Sequence, residues 1–401
     1  MKYRQVVYKN VKSLNKHAVI DLIRYAPAGI ARVDLARQMG LTRAAVTTIV
    51  KDLKELGVVR EAKRHPDGKR SIMLEIDPEI GYVVGIDMGA THVNMILADY
   101  AAQVLMELEK PLDIAQGPKV CLDNLYGYYQ TFIKQAGLRL ADISAIGLGV
   151  PGPIVFNAGM VSFPPIMPGW NGFPIRDYLQ NRCSCPIYLG NDAEFGALGE
   201  WAYGAGRSED NLAYIKVGTG IGAGLLINGQ IYRGTTGSAG EIGHITIDEK
   251  GPLCSCGNYG CLEAMAGGKA IARRAREAAQ MGRKTILSEF EDFDQLSARD
   301  VVMAARKGDL LAQEIIRETG VYLGTAVASL VNLFNPSMVV IGGKVAQSGD
   351  LLLEPIRRTV HARSLRGASK ATRITAAFLG RRSTGMGAVV QALSMKLHEM
   401  V

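Results

Sequence analysis

The sequence contains no apolar run approaching the roughly 18 residues that a helix needs to cross a bilayer, which excludes an ordinary transmembrane segment. It also lacks an apolar stretch behind Met1-Lys2-Tyr3-Arg4, so no secretory signal is expected. Cysteine is scarce, with six in 401 residues. That is too few for a disulfide scaffold, and in a reducing cytoplasm clustered cysteines more often hold metal. A surplus of positive charge is missing from most of the chain, since residues 76–401 hold 30 Lys+Arg against 31 Asp+Glu. These absences predict a cytoplasmic protein without a membrane partner.

The charge that is present sits at the front. Residues 1–75 carry 16 Lys+Arg against 7 Asp+Glu, while the whole chain is only +8. A basic module is therefore joined to a nearly neutral one. A phosphate backbone is the usual partner of such a footprint, because each Lys or Arg on a phosphate releases condensed counterions. An acidic membrane surface or a solvated basic tail has the same charge signature, so the residue pattern must decide. A hydrophobic content of 48% with 46 glycines fits a compact α/β protein rich in tight turns, long enough for two or three domains.

Within the basic module, Leu14, Ala18, Leu22 and Tyr25 recur at helical spacing over Ser13–Tyr25, closed by Pro27-Ala28-Gly29. A short second helix has Val33, Leu35, Ala36 and Met39 as its inner face and stops at Gly40. Thr42 is a natural N-cap for a third helix to about Leu56, with Val46, Ile49, Val50 and Leu53 facing inward. A short helix, a glycine turn and a longer helix opening on small residues form a helix-turn-helix pattern. Thr42, Arg43, Ala44, Thr47, Thr48 and Lys51 give the third helix a slim face for a major groove, where arginine and lysine reach phosphate or guanine and threonine reaches a thymine methyl. Val58–Glu61 and Ser71–Leu74 read as two short strands. The basic loop between them, with Arg64, Lys69 and Arg70, reads as a wing for a minor groove or flanking phosphates. The same helices could instead form a protein-docking bundle with a solvated charged face; charge, position and wing together favour double-stranded DNA.

Beyond Tyr82 the texture changes. Two apolar strands flank Gly85-Ile86-Asp87-Met88-Gly89-Ala90-Thr91, and the arrangement returns about 130 residues later around Gly218-Thr219-Gly220. Turns of this kind present N–H groups to phosphate, and the Asp87 carboxylate can hold Mg²⁺ or its waters. A third turn, Gly342-Gly343, follows another apolar strand. The repetition predicts a duplicated α/β domain with a cleft between its halves. Asp87, Gly89, Thr91, Gly218, Thr219, Gly220, Gly342 and Gly343 are the candidate nucleotide-binding positions, active or vestigial.

Within 18 residues the chain supplies His244, Cys254, Cys256 and Cys261. Three thiolates and an imidazole satisfy tetrahedral Zn²⁺ and fill its shell, so the metal should be structural. A redox pair or chance clustering is the alternative. Cys121 and the Cys183-Ser184-Cys185 pair, with no histidine nearby in sequence, read as packing residues.

These pieces in this order resemble the ROK family (repressors, open reading frames and kinases) over essentially the whole chain. The most specific segments are Glu241-Ile242-Gly243-His244 and Cys254-Ser255-Cys256-Gly257-Asn258-Tyr259-Gly260-Cys261-Leu262-Glu263, supported by Gly85–Thr91 and by Asn335-Pro336 ahead of Ile341-Gly342-Gly343. The N-terminal module looks like the winged helix of the repressor branch, similar to regulators responding to xylose and N-acetylglucosamine; family sugar kinases usually lack it. The resemblance implies an α/β fold class: a winged helix-turn-helix over 1–75, then a two-lobed actin-like, sugar-kinase-like (ribonuclease H-like) domain. Its first lobe would span 76–190, with a C-terminal helix over 385–401 packing back, and its second 191–384 with the zinc loop. It implies sugar binding by Asn171, Asn191, Asp192, Glu241, His244 and Glu263, with His244 serving zinc and sugar at once. Asp192 would be the general base if the chain were an ATP- and Mg²⁺-dependent sugar kinase. The chain departs from the kinase pattern at Ala90, at His92 (usually lysine) and at Ile166 (often a sugar-contacting asparagine). The function so implied is a sugar-responsive repressor of carbohydrate-utilisation genes, binding operator DNA as a homodimer or dimer of dimers, with the kinase as the alternative.

Overall fold

The structure, a computed structural model, describes residues 11–26, 28–62, 72–290 and 292–401. The basic loop that carries Arg64, Lys69 and Arg70 lies outside the described residues.

The N-terminal unit is built from helices Val11–Arg24, Arg32–Met39 and Arg43–Glu55 and a three-stranded antiparallel sheet. Two of its strands, Val59–Ala62 and Met73–Ile76, pair with Val59 opposite Ile76. The third is only Ile30–Ala31, added to the edge of Met73–Ile76. A two-residue strand has no period to read, so the sequence carries no sign of it.

Local chemistry explains the third helix. Thr42 is extended and its hydroxyl accepts the Ala45 N–H at 3.2 Å. Gly40, at φ 65°, supplies the left-handed residue that ends the preceding helix. Val46, Ile49, Val50 and Leu53 are buried, as their spacing requires. The first two helices correct the reading. The first buries Val19, Ile20 and Ile23, while Leu22 is half-buried and Ala18 exposed. The second buries Leu35 and Ala36 and leaves Val33 on the surface. The first helix is amphipathic toward two partners at once, the winged unit and the C-terminal helix, so its apolar stripe is rotated from the one its own spacing picks out.

Two five-stranded sheets follow, built on the same plan. In each, two strands continue from a central strand by successive antiparallel pairings on one side and two by successive parallel pairings on the other. The first is centred on Tyr82–Met88; the second, centred on Leu212–Val217, repeats the order. This is the duplication expected from the repeated glycine turns. Helix Asp192–Tyr203 lies against the second sheet, helix Ser383–Glu399 against the first, and the two helices pack on each other between the sheets. Close approach there demands glycine, since a Cβ at Gly147 would stand 2.1 Å from the Ala388 carbonyl oxygen.

One apolar core joins the winged unit to the body. Val19, Ile20, Leu35, Val50 and Leu74 from the head share it with Val83, Ala98, Ala145, Val389, Leu393 and Leu397. Among the described residues no helix is long and apolar enough to cross a membrane. The thiols of Cys121, Cys183 and Cys185 are buried, and burial pushes them up to about 11, about 12 and about 11, as expected of inert packing residues.

Candidate functional site

A cleft of about 680 Å³ opens between the lobes. Its floor is set where strands end and turns begin. Strand Tyr82–Met88 delivers Asp87, and the turns after the central strands deliver Gly89, Thr91, Gly218, Thr219 and Gly220 to the wall. Gly343 lines the cleft too. Gly342 does not: it packs on Tyr214, whose hydroxyl would be 2.2 Å from a Cβ there.

Asp192 opens helix Asp192–Tyr203 and faces the cleft. Asn191 is the N-cap of that helix. Its amide oxygen accepts the N–H groups of Ala193 (2.8 Å) and Glu194 (3.1 Å), and its amide nitrogen donates to the Gly152 carbonyl at 3.0 Å. With these bonds made, Asn191 fixes the direction in which Asp192 points and stands behind the wall. Asn171 is exposed and off the cleft wall; its side-chain oxygen accepts the Phe163 N–H at 2.8 Å. Glu241, His244 and Glu263 do line the cleft with Asp192. Glu263 is anchored by accepting the Ile221 N–H at 2.9 Å, which aims its other oxygen at Ser255 and the cavity. Burial, then the charges of Asp192 and Glu263, push the Glu241 carboxyl up to about 7.

Lys216 was not singled out by the sequence. Its ammonium reaches across from the second sheet to Asp87 Oδ1 at 3.1 Å and Asp192 Oδ2 at 3.0 Å, and donates to Thr384 Oγ1 at 3.4 Å. Burial works against its charge, but Asp192 and Asp87 outweigh burial and raise its proton affinity. The outer wall adds Lys269, Arg276, Arg299, Lys344 and Arg381. Glu109 of the first lobe pairs with Arg381 at 2.6 Å and with Lys344 at 3.9 Å, so ion pairs bridge the cleft rim. No local motif marks these cations, because the fold gathers them from distant segments.

Beside the cleft, the ligand atoms of His244, Cys254, Cys256 and Cys261 all lie within 4.8 Å of one another. His244 Nδ1 is 3.6 Å from Cys254 Sγ, and Cys256 Sγ is 3.7 Å from Cys261 Sγ. A tetrahedron with Zn–S of about 2.3 Å and Zn–N of about 2.0 Å has edges near these lengths, so the donor set fits zinc. His244 turns Nδ1 to the thiols and holds Nε2 3.9 Å from Glu241 Oε2. On the winged unit, Thr42, Arg43, Ala44, Thr47, Thr48 and Lys51 are all exposed. Thr47 and Thr48 meanwhile return their hydroxyl hydrogens to the Arg43 and Ala44 carbonyls at 2.8 and 3.1 Å.

Comparison with known proteins agrees with this anatomy. The chain is 31% identical over 386 residues to a xylose repressor of Caldicellulosiruptor bescii, covering 96% of each chain. Among solved structures it is similar to a ROK family transcriptional regulator, a homolog of the Escherichia coli MLC protein, with a TM-score of 0.79, 27% identity and 97% of each chain covered. It is also similar to a ROK family glucokinase from Streptomyces griseus solved with glucose and AMPPNP, with a TM-score of 0.71 and 30% identity, covering 78% of this chain and 99% of that one. The glucokinase thus matches little more than the two lobes, whereas the two regulators match the head as well. The ROK family model itself matches residues 83–394, and the chain belongs to the ROK family.

Proposed function

We propose that this protein is a sugar-responsive DNA-binding transcriptional regulator, a repressor of carbohydrate-utilisation genes. Its operator affinity changes when a sugar or sugar derivative fills the interlobe cleft. The observation that carries this reading is the single apolar core running from the winged head into the C-terminal helix, which in turn packs on the helix that presents Asp192. A movement of the lobes around a ligand therefore cannot leave the head behind. Arg43, Thr47 and Thr48 read the major groove, Lys51 holds a phosphate beside it, and the basic loop with Arg64, Lys69 and Arg70 serves a minor groove or flanking phosphates. The protein works in the cytoplasm as a homodimer or dimer of dimers, because two half-sites call for a two-fold axis.

In the cleft, Asp192, Glu241 and Glu263 accept hydrogen bonds from sugar hydroxyls, and a ligand lacking those hydroxyls displaces water from the carboxylates without replacing its hydrogen bonds. His244, Cys254, Cys256 and Cys261 would hold a structural zinc with four protein ligands. His244 would then join the imidazole beside Glu241 to the loop, coupling sugar binding to loop geometry. Differential affinity of the sugar for two lobe arrangements, worth ~1–3 kcal/mol, gives ~5–150-fold relief or engagement at the operator.

A gel shift on DNA upstream of the protein's own gene, with and without a panel of aldoses and amino sugars, tests the proposal. Retardation that one sugar alters is expected. A second reading, an ATP-dependent sugar kinase with Asp192 as general base, draws on Asp87, Asp192 and the three glycine turns meeting in one cleft. Brisk sugar-dependent ADP release with ATP and Mg²⁺, and no retarded DNA at low salt or high, would reverse the order of the two.

A further inference from the structure

Lys216 stands in an unusual place. It is the one charged residue in the strand Leu212–Val217, whose other side chains are all buried. Its neighbours across the sheet are Gly222 on one side and Gly342 on the other, so no side chain contests the space above it. The ammonium crosses to the opposite lobe and sits between two carboxylates from different elements, Asp87 from the first central strand and Asp192 from the helix start. Thr384 completes the arrangement, receiving a hydrogen bond from Lys216 while its own hydroxyl donates to the Asp192 carbonyl at 3.0 Å. Lys216, Asp87 and Asp192 keep only 18%, 6% and 16% of their side-chain surface exposed.

We infer that Lys216 is the resident cation of the cleft: it occupies the position between Asp87 and Asp192 that a nucleotide's divalent metal would need, and so makes the cleft a sugar sensor that does not take up metal–nucleotide. This rests on the cleft being the sugar site proposed above. Two carboxylates this close repel each other unless a cation lies between them, and a divalent ion is the usual solution. Here the chain supplies the cation covalently. A second cation drawn to the same oxygens would meet an ammonium that already stands 3.1 and 3.0 Å from them and cannot diffuse off, and the repulsion in a half-buried cleft is large.

The same contact bears on Asp192. Burial raises the proton affinity of its carboxyl above the ordinary value, and the ammonium 3.0 Å from Oδ2 works against that rise. With Oδ2 engaged by Lys216, Oδ1 is the oxygen left to accept a hydrogen bond from a sugar hydroxyl. Lys216 is thus a positioning residue, which fixes where the Asp192 carboxylate stands.

The test uses the full chain and Mn²⁺ as the probe, followed by electron paramagnetic resonance, first alone and then with ATP. Wild type should bind Mn²⁺ weakly or not at all in the cleft. Lys216→Ala should gain a site at least about tenfold tighter, Lys216→Arg should behave as wild type, and adding Asp87→Asn to Lys216→Ala should abolish the gain. Equal Mn²⁺ affinity in wild type and Lys216→Ala would overturn the inference. So would wild-type protein that binds Mn²⁺ at a site lost in Asp87→Asn, or that releases ADP when given a sugar, and the second of these is read on wild type alone. Gel shifts on the same wild-type preparation report separately on the repressor reading: loss of operator binding removes that reading, whereas Mn²⁺ binding removes only the role of Lys216.

Discussion

His17 of the winged head and His398 of the C-terminal helix stack face to face, their ring centroids 4.4 Å apart and their planes within 10° of parallel. Asp21 stands next to them, 3.3 Å from His398 Nε2. The rings lie on the first and last described helices, so this contact joins head to body across almost the whole chain. Tyr25 extends the joint to Trp201 at 4.9 Å, and Arg207 donates to the Tyr25 carbonyl at 3.3 Å. Any tilt of the head must break or slide these contacts, so in the proposed regulator this joint would pass a change at the cleft to the head.

The stack predicts a pH signature. Burial first, and then the neighbouring His398, hold the His17 imidazole below its usual value, against the pull of Asp21. Folded protein therefore binds fewer protons at this group than unfolded protein, whose imidazole titrates near about 6.5. The stability His17 contributes is present above that pH and is lost as the pH falls below it. His92 is lowered by burial and acts with the same sign, whereas Glu194 and Glu241, both raised to about 7, act with the opposite sign between the usual carboxylate range and 7. The measurement is thus a difference: His17→Phe should lose less melting temperature than wild type between pH 7.5 and 5.5. Parallel curves would show that the His17 imidazole does not titrate differently on folding.

The DNA face separates two kinds of contact. Lys51 is exposed and its ion pair with Glu55 is loose, at 3.7 Å, so it is free to turn to a phosphate. Lys51→Ala should weaken binding to all duplexes alike and reduce the slope of log affinity against log salt by about 1. Arg43 opens the helix, where side chains reach base edges. Arg43→Ala should cost about 1–3 kcal/mol on the operator and relax preference at one base position. Fluorescence anisotropy over a salt series checks both.

The proposed zinc ligands offer a test that spares the proposed DNA face. Cys256 is the exposed member of the four, reached without disturbing the core. Cys256→Ser, or chelation of the wild-type protein, should lower stability on the order of 2 kcal/mol and weaken sugar binding through the Glu241–His244 segment. An unchanged melting curve and sugar response in the variant would count against a structural metal.

What could be read from the chain, and what could not, follows from the range of the interactions. The third helix was legible because Thr42, Gly57 and the spacing of Val46, Ile49, Val50 and Leu53 act within a few turns. The metal quartet was legible because its donors are close in sequence and their chemistry is specific. The face of the first helix was misjudged because the core it packs into includes Leu393 and Leu397, more than 300 positions away. Asn191 entered the sugar set through the family resemblance, which carries no information on how its amide is engaged; the helix starting at Asp192 claims its oxygen. Lys216 gave no signal, since a lysine in a strand acquires meaning only when the fold sets two carboxylates against it, Asp87 from the other lobe and Asp192 from a helix start.

Glu200 is the last such residue and the sharpest to test. It is fully buried on helix Asp192–Tyr203. Its carboxylate accepts the N–H groups of Ala205, Phe378 and Leu379 at 2.8, 3.1 and 2.9 Å and the Ser383 hydroxyl at 2.7 Å. Four donors offset the desolvation of the charge and staple the turn that launches the C-terminal helix, and with it the path from cleft to head. Glu200→Ala leaves those donors unpaired and should cost about 3–5 kcal/mol. Glu200→Gln keeps the shape and two lone pairs but turns an NH₂ toward a donor, so it should fold with a smaller loss and show a weakened effect of sugar on operator affinity. Urea unfolding and anisotropy on the same samples distinguish the two expectations. If Glu200→Gln bound operator and answered sugar as wild type does, the staple would be a stability feature only, and the signal would have to cross the hinge by the paired helices without it.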